Sequence, residues 1–111
     1  MVPELYPLYR RDDAPRWRVP HLHNNPLQIA AERGLLGLAS YAAVLSVFAL
    51  HTAGALRRRD HPAFAALAGC ALAVTGATVA GLFEYNWGDN GVWIPILTLL
   101  AAPFALAPEA T

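Results

Sequence analysis

Three long stretches without a charged residue limit what this chain can fold into. Residues 35–56, 63–82 and 92–107 contain no Asp, Glu, Lys or Arg. The first two are close to the ~20 residues with which a helix crosses a bilayer core of ~30 Å. With 56% hydrophobic and 14% charged residues, the chain is too apolar for a water-soluble domain of this size. We therefore predict an all-α integral membrane protein with about three transmembrane helices.

Residues 1–25 precede the apolar region and are predicted to form an irregular arm outside the bilayer core. This segment shows neither helical nor alternating periodicity, and it is broken by Pro3, Pro7, Pro15 and Pro20. The helical membrane region, residues 26–111, then begins with Asn25 as the predicted N-cap. Pro26 suits the first helical position, and Gln28 completes a variant of the capping box.

The second and third apolar runs each carry a packing feature. In the second run, small side chains recur every four residues, at Ala65, Gly69, Ala73, Ala77 and Gly81. Such ladders favour close helix packing in membranes, so this helix is predicted to have a neighbour. The third run holds Pro95 and Pro103, so it is interpreted as a kinked span, a re-entrant piece or a truncated helix.

The charged residues bear on partners and on orientation. A net charge of zero without any Lys excludes the basic surface typical of nucleic-acid binding. The arm as a whole has more arginines than the triplet at residues 57–59, which would place the arm in the cytoplasm under the positive-inside rule. Counting only the arginines close to the first span favours the triplet instead, and we adopt this orientation, with the arm on the outer side.

His23 lies two residues before the predicted start of the first helix, at a membrane surface. A helix N-terminus presents unpaired N–H groups and the positive end of the helix dipole, which together favour an anion such as a diphosphate. The same field disfavours the imidazolium, so a neutral His23 could accept a proton as a general base. Alternatively, His23 extends the cap, or it forms an H-x-H metal pair with His21, for which no third ligand is obvious.

The sequence around His23 resembles the signature of the O-antigen ligase family, in which His-Asn is followed by nine residues and then by Gly-x-x-Gly. The four fixed positions of that motif are here His23, Asn24, Gly34 and Gly37. The stretches 3–10 and 84–89 also resemble sequences that flank the motif in family members. The resemblance therefore covers most of the chain.

This resemblance implies many transmembrane helices and a large periplasmic loop, of which the chain holds the loop end, residues 1–25, and the last helices. Family members transfer a glycan from undecaprenyl diphosphate to an acceptor hydroxyl without a metal or other cofactor, and the histidine carried over to His23 is implicated in catalysis. The implied location is the bacterial inner membrane, with the arm in the periplasm. The implied partners are the bilayer, the lipid-linked glycan and the remaining helices of the same enzyme or a partner chain.

Further residues are predicted to bind substrate or to support the site. Arg16 and Arg18 lie close to His23 in sequence and could pair bidentately with a phosphate, although contacts to anionic head groups are the alternative. Asn24 is predicted to join them in substrate binding. Gly34 and Gly37 are predicted to let another helix approach the backbone closely.

The connection after the second run supplies two acids, Glu84 and Asp89. If the first two runs form an antiparallel hairpin, both acids return to the membrane face of His23. A carboxylate partner for this histidine is then possible.

Two functions from different classes stay open. The first is membrane glycan transfer, in which His23 deprotonates an acceptor hydroxyl. The second is a non-enzymatic small membrane protein or assembly subunit derived from such an enzyme. Three helices cannot easily enclose both a lipid-linked donor and an acceptor, so the isolated chain is expected to be an incomplete piece.

Overall fold

The computed structural model describes residues 2–17 and 19–107, and the regular secondary structure in this part of the chain is entirely helical. The helices are α1 (Val2–Tyr9), α2 (Asn25–Leu56), α3 (Phe64–Ala80) and α4 (Asn90–Leu106). The all-α prediction is thus confirmed. Both ends of α3 and of α4 lie within two residues of the corresponding ends of the apolar runs that predicted them. The first run and α2 end at the same residue, Leu56.

The first part of the arm is a helix, so the prediction of an irregular arm is wrong for residues 2–9. Pro3 lies in the first turn of α1, where its missing N–H has no helical partner to lose. Glu4 in the same turn faces the positive end of the helix dipole. Apolar side chains of α1 line a shared groove with Leu22 and Ala31, so contact with α2 supports the short helix. The other described arm residues, 10–17 and 19–24, are irregular as predicted.

The α2 helix is interrupted at Gly34, which has φ 69° and ψ −170°. A backbone at these angles is accessible almost exclusively to glycine, because a Cβ would meet the adjacent peptide groups. Gly34 is exposed, and beyond the adjacent backbone a Cβ built on it would meet no described atom within 4 Å. Approach of another helix to Gly34 stays a prediction. Within the described chain the residue is needed for backbone conformation, where residues 25–33 turn away from residues 35–56.

Gly37 completes this interruption from the following turn. A Cβ at Gly37 would collide with the Cβ of Arg33 and would lie 3.5 Å from a methyl group of Ile29. Within the described chain, the atoms closest to Gly37 therefore belong to the preceding turn of α2, and the approach of a second helix stays a prediction. Both glycines of the motif serve one local bend.

The three long helices pack side by side with alternating direction. The beginning of α2 meets the end of α3, because the Asn25 N–H donates a hydrogen bond to the Gly81 carbonyl. At the opposite end, Ala55 and Leu67 pack together with Ala107, which follows α4. A second apolar cluster between the two ends consists of Phe48, Val74, Ile96 and Leu100. The predicted antiparallel hairpin of the first two runs is thus confirmed.

Among the described helices, α2 is long and apolar enough to cross a bilayer by length and composition. Only 11% of its qualifying 18-residue window is buried, unlike a helix in the core of a soluble domain. α3 and α4 are apolar but have 17 residues each, at the short limit of the roughly 17–25 residues that span a membrane.

Candidate functional site

The candidate site lies where the beginning of α2 meets the connection between α3 and α4. We call this region the polar end and define it as residues 21–28 and 81–87. The backbone bond from Asn25 N–H to Gly81 O, 2.6 Å long, joins its two segments directly. A Cβ at Gly81 would fall on the side-chain amide of Asn25, so glycine is required for this approach.

The Asn25 side chain is the centre of the polar end and is only 1% exposed. Its Nδ2 donates to Asn86 Oδ1 at 2.7 Å. Its Oδ1 accepts from the backbone N–H groups of Asn86 at 3.1 Å and Trp87 at 3.3 Å. Because buried polar groups are costly without partners, these three bonds fix the connection against the beginning of α2.

Asn24, and not Asn25, is the N-cap of α2. Asn24 has extended backbone angles, and its Oδ1 accepts from the Leu27 N–H at 2.8 Å. Its Nδ2 donates to the Leu82 carbonyl at 2.9 Å. The predicted cap is wrong by one residue because the buried contacts of Asn25 draw that side chain away from the helix end. Substrate binding by Asn24 stays a prediction. Both of its amide atoms have protein partners, so a substrate would have to share or replace these hydrogen bonds.

Gln28 does not form the predicted capping box. Its buried side chain accepts the Leu22 N–H at Oε1, over a distance of 2.6 Å. This bond holds the segment between the two histidines against the first turn of α2. Gln28 therefore positions His21 and His23 and does not cap the helix.

His23 contacts Glu84, which lies 61 residues later in the chain. The His23 Nδ1 is 3.0 Å from Glu84 Oε1 and 2.9 Å from Oε2. The hydrogen bond from His23 lowers the pKa of the Glu84 carboxyl, and a bond from the Tyr85 N–H to Oε1 at 2.9 Å adds to this effect. The possible carboxylate partner is confirmed in Glu84, whereas Asp89 caps α4 by accepting from Gly91 N–H at 2.8 Å.

This contact favours one tautomer of His23. An ionised carboxylate accepts hydrogen bonds only, so the proton of a neutral imidazole belongs on Nδ1, facing Glu84. The Nε2 atom is then left with its lone pair. Because the His23 side chain is 52% exposed, this arrangement can accept a proton from a bound hydroxyl group.

His21 lies beside the same pair. Its ring is 4.8 Å from the His23 ring, in an edge-on arrangement, and 5.7 Å from the ring of Tyr85. The His21 Nδ1 is 3.6 Å from Glu84 Oε1, too far for a hydrogen bond. Sequence analysis found no third ligand for the His21–His23 pair, and the structure brings Glu84 to that position.

Of the two arginines predicted to bind phosphate, the structure describes only one. Arg16 is exposed in the arm, where it is accessible to a ligand. Arg18 lies outside the described residues. Arg10 stacks over Trp17, with its guanidinium carbon 4.1 Å from the ring centre. Phosphate binding by Arg16 and Arg18 stays a prediction.

A cavity of about 310 Å³ between α2 and α4 extends the region, and sequence analysis missed it. Trp87 lies edge-on to Tyr41 and to Trp93, at ring-centre distances of 5.0 and 5.3 Å. All three aromatic residues and the exposed Arg33 line this cavity. The aromatic residues were visible in the sequence, but their convergence depends on how α2 and α4 pack.

Protein-family models, curated proteins and solved structures were compared with the chain, and none of them matches it. The spacing of the motif and the geometry of the polar end are therefore the features that indicate function.

Proposed function

We propose that the chain is the acceptor-activating part of a membrane glycan transferase similar to the O-antigen ligases. His23 Nε2 takes the proton of an acceptor hydroxyl as its oxygen attacks the anomeric carbon of the donor sugar. The bond from that carbon to the carrier breaks, and its electron pair leaves with undecaprenyl diphosphate. Proton removal in the transition state contributes about 10²–10⁴-fold to the rate of such steps.

The observation that carries this proposal is the contact between His23 and Glu84. A carboxylate that accepts from Nδ1 holds the imidazole in the tautomer of a base and stabilises the imidazolium once the proton is taken. The motif His-Asn with nine residues before Gly-x-x-Gly marked this histidine independently of its neighbours in space. Two separate lines of reasoning thus indicate one residue.

The membrane setting supports the same function. Large apolar side chains on the outer surfaces of α2 and α3 are more than 70% exposed, namely Leu35, Leu36, Leu50 and Leu72. Contact with lipid would cover them. In this proposal α2, α3 and α4 cross the bacterial inner membrane, with the polar end in the periplasm and the arginines at residues 57–59 in the cytoplasm. The carrier's diphosphate would then lie at the level of His23, and its polyprenyl chain in the bilayer.

Donor binding in this proposal uses groups around the polar end. Arg16 and Arg18 would pair with the diphosphate, for which guanidinium groups have the right bidentate geometry. The aromatic cavity with Arg33 at its edge offers apolar atoms beside a positive charge, which suits an amphipathic donor. Further helices of the same enzyme or of a partner chain would complete the enclosure.

A second candidate function, a non-enzymatic assembly subunit, is favoured by one observation. Ala65, Gly69 and Ala73 of the small-residue ladder are exposed, whereas Ala77 and Gly81 pack within the chain. The exposed part of the ladder can receive another helix at close range. Both functions require this association, and they differ in whether His23 performs chemistry.

The test uses the protein in its own host, where any partner chains are present. We expect deletion of the gene to reduce the attachment of an envelope glycan, and plasmid-borne wild type to restore it, as measured by glycan staining of gels. His23→Asn keeps a donor near Glu84 but lacks a base at the Nε2 position, so it should lower attachment by about 100-fold or more. Glu84→Gln should cause a smaller loss, because an amide orients the ring without a negative charge.

The matched control is His61→Ala, a histidine at the opposite end of the hairpin whose Nδ1 accepts from Ala63 N–H. It should complement like wild type. Equal protein levels in membranes separate lost chemistry from lost folding. Full attachment by His23→Asn at normal protein level, or a deletion strain with unchanged glycans, would contradict the proposed function.

A further inference from the structure

Three side chains of the polar end can share one cation. His21, His23 and Glu84 each direct a ligating atom to the same place, and these atoms lie within 4.8 Å of one another. Two imidazole nitrogens with one carboxylate oxygen form the ligand set typical of Zn²⁺ sites with an open fourth position.

The His21 Nδ1 atom provides a second, independent indication of a bound ion at this cluster. The atom is buried, and it has no hydrogen-bond partner among the described residues. Buried polar atoms without partners are uncommon and indicate a missing ligand or ion. A cation between His21 and Glu84, whose facing atoms are 3.6 Å apart, would supply the partner that the nitrogen lacks.

We propose that His21, His23 and Glu84 bind one Zn²⁺ ion through His21 Nδ1, His23 Nδ1 and a Glu84 oxygen. Ligands of tetrahedral Zn²⁺ are separated by roughly 3.3 Å, given metal–ligand bonds of about 2.0–2.1 Å. The distances to Glu84 Oε1, 3.0 Å from His23 Nδ1 and 3.6 Å from His21 Nδ1, bracket this value. The ligating atoms lie within 4.8 Å of one another, so rotation of the exposed His23 and Glu84 side chains toward His21 would seat the ion, with water as the fourth ligand.

The ion would occupy the His23 atom that otherwise faces Glu84. Zn²⁺ binding and the His23–Glu84 contact are thus mutually exclusive, and an inhibitory role for the ion is the part of this inference that rests on the proposed function. Binding itself does not depend on any activity of the protein.

The test is calorimetric titration of the purified chain, in detergent micelles and after chelator treatment, with Zn²⁺ alone. We expect one ion per chain, and an affinity lowered at least about 10-fold by His21→Ala and by Glu84→Gln. The matched control His61→Ala removes a histidine outside the cluster and should bind Zn²⁺ like wild type. Circular dichroism checks that each variant keeps its helices.

Failure of wild type to bind one equivalent of Zn²⁺, or unchanged affinity in both cluster variants, would overturn the site. If a variant loses helix content, imidazole resonances of wild type decide instead. Zn²⁺ must then shift the signals of His21 and His23 and leave that of His61 in place, and any other pattern contradicts the proposal. Glycan attachment in the host is measured without added metal, so either proposal can fail while the other stands.

Discussion

The two ends of the helical bundle are held together in different ways. At the polar end, the buried amide of Asn25 makes directional hydrogen bonds to a segment 61 residues later in the sequence, and that of Gln28 accepts from Leu22, six residues earlier. At the opposite end, small and aliphatic side chains pack around Leu67, which is fully buried. A hydrogen bond of 3.2 Å between His51 Nε2 and the Pro103 carbonyl is added to this packing. The nearby Thr52 is 2% exposed, and its Oγ1 has no hydrogen-bond partner among the described residues.

The two ends therefore differ in how strongly their contacts determine the relative positions of the helices. Apolar contacts are non-directional, and in lipid they give one apolar face little reason to prefer another. A buried amide with three partners tolerates few alternative positions, because each displaced bond leaves an unpaired group. We therefore infer that the hydrogen bonds of the polar end determine the relative positions of the helices, and that the packing at the opposite end adapts to those positions.

Asn25→Ala is expected to have the largest effect on stability. It removes three hydrogen bonds and leaves the Asn86 and Trp87 N–H groups without their partner. The free energy of unfolding should fall by about 3 kcal/mol, as measured by reversible denaturation in detergent micelles. Asn90→Ala, at an exposed position of α4, is the control and should change it by less than about 0.5 kcal/mol. Equal effects of the two would contradict the structural role of the buried Asn25 amide.

Gly81→Ala should come next, with a loss of about 2 kcal/mol. The new methyl group would fall on the Asn25 amide and separate the end of α3 from the beginning of α2. Gly69, within α3, has open space around it, and Gly69→Ala should stabilise the monomer by up to about 1 kcal/mol through helix propensity. A similar response of both glycines would argue against the close approach at Gly81.

Gly34→Ala tests the bend within α2. Its positive φ should cost about 1.5 kcal/mol in an alanine variant, and the same denaturation measurement applies. Gly54→Ala, at a helical position with open space, is expected to be neutral or stabilising. If Gly34→Ala were as stable as wild type, the interruption of α2 would not be a property of the folded chain.

Thr52→Val should have the smallest effect, and with the opposite sign. The substitution keeps the shape of the side chain and removes a buried hydroxyl that lacks a partner. We expect stabilisation by about 0.5–1 kcal/mol. Destabilisation would mean that the Thr52 hydroxyl makes a polar contact that stabilises this end.

Much of the helical architecture could be predicted, because the apolar runs are long and free of charge. Their composition fixed the positions of α2, α3 and α4 to within two residues at the ends compared. α1 was missed because Pro3 and Pro7 are ordinarily helix breakers, and their tolerance depends on position within a short helix and on contact with α2.

The site was predicted in part. The His23 position followed from the motif, and the hairpin made a carboxylate partner possible. Local sequence did not distinguish Glu84 from Asp89, nor Asn24 from Asn25 as the cap, since each pair has the same chemistry. Contacts between residues about 60 positions apart determine which acid meets His23 and which asparagine caps α2. The sequence showed glycines at positions 34 and 37, but the bend in α2 could be recognised only from the backbone angles of Gly34.

The most direct test of this account is amide hydrogen exchange at Asn86 and Trp87, measured by NMR in detergent micelles. Both residues lie outside the helices, yet their N–H groups donate to the buried Asn25 side chain. We expect these two amides to exchange as slowly as helical amides, and Asn25→Ala to make them exchange fast. Exchange in wild type as rapid as that of the exposed Gly88 would contradict it.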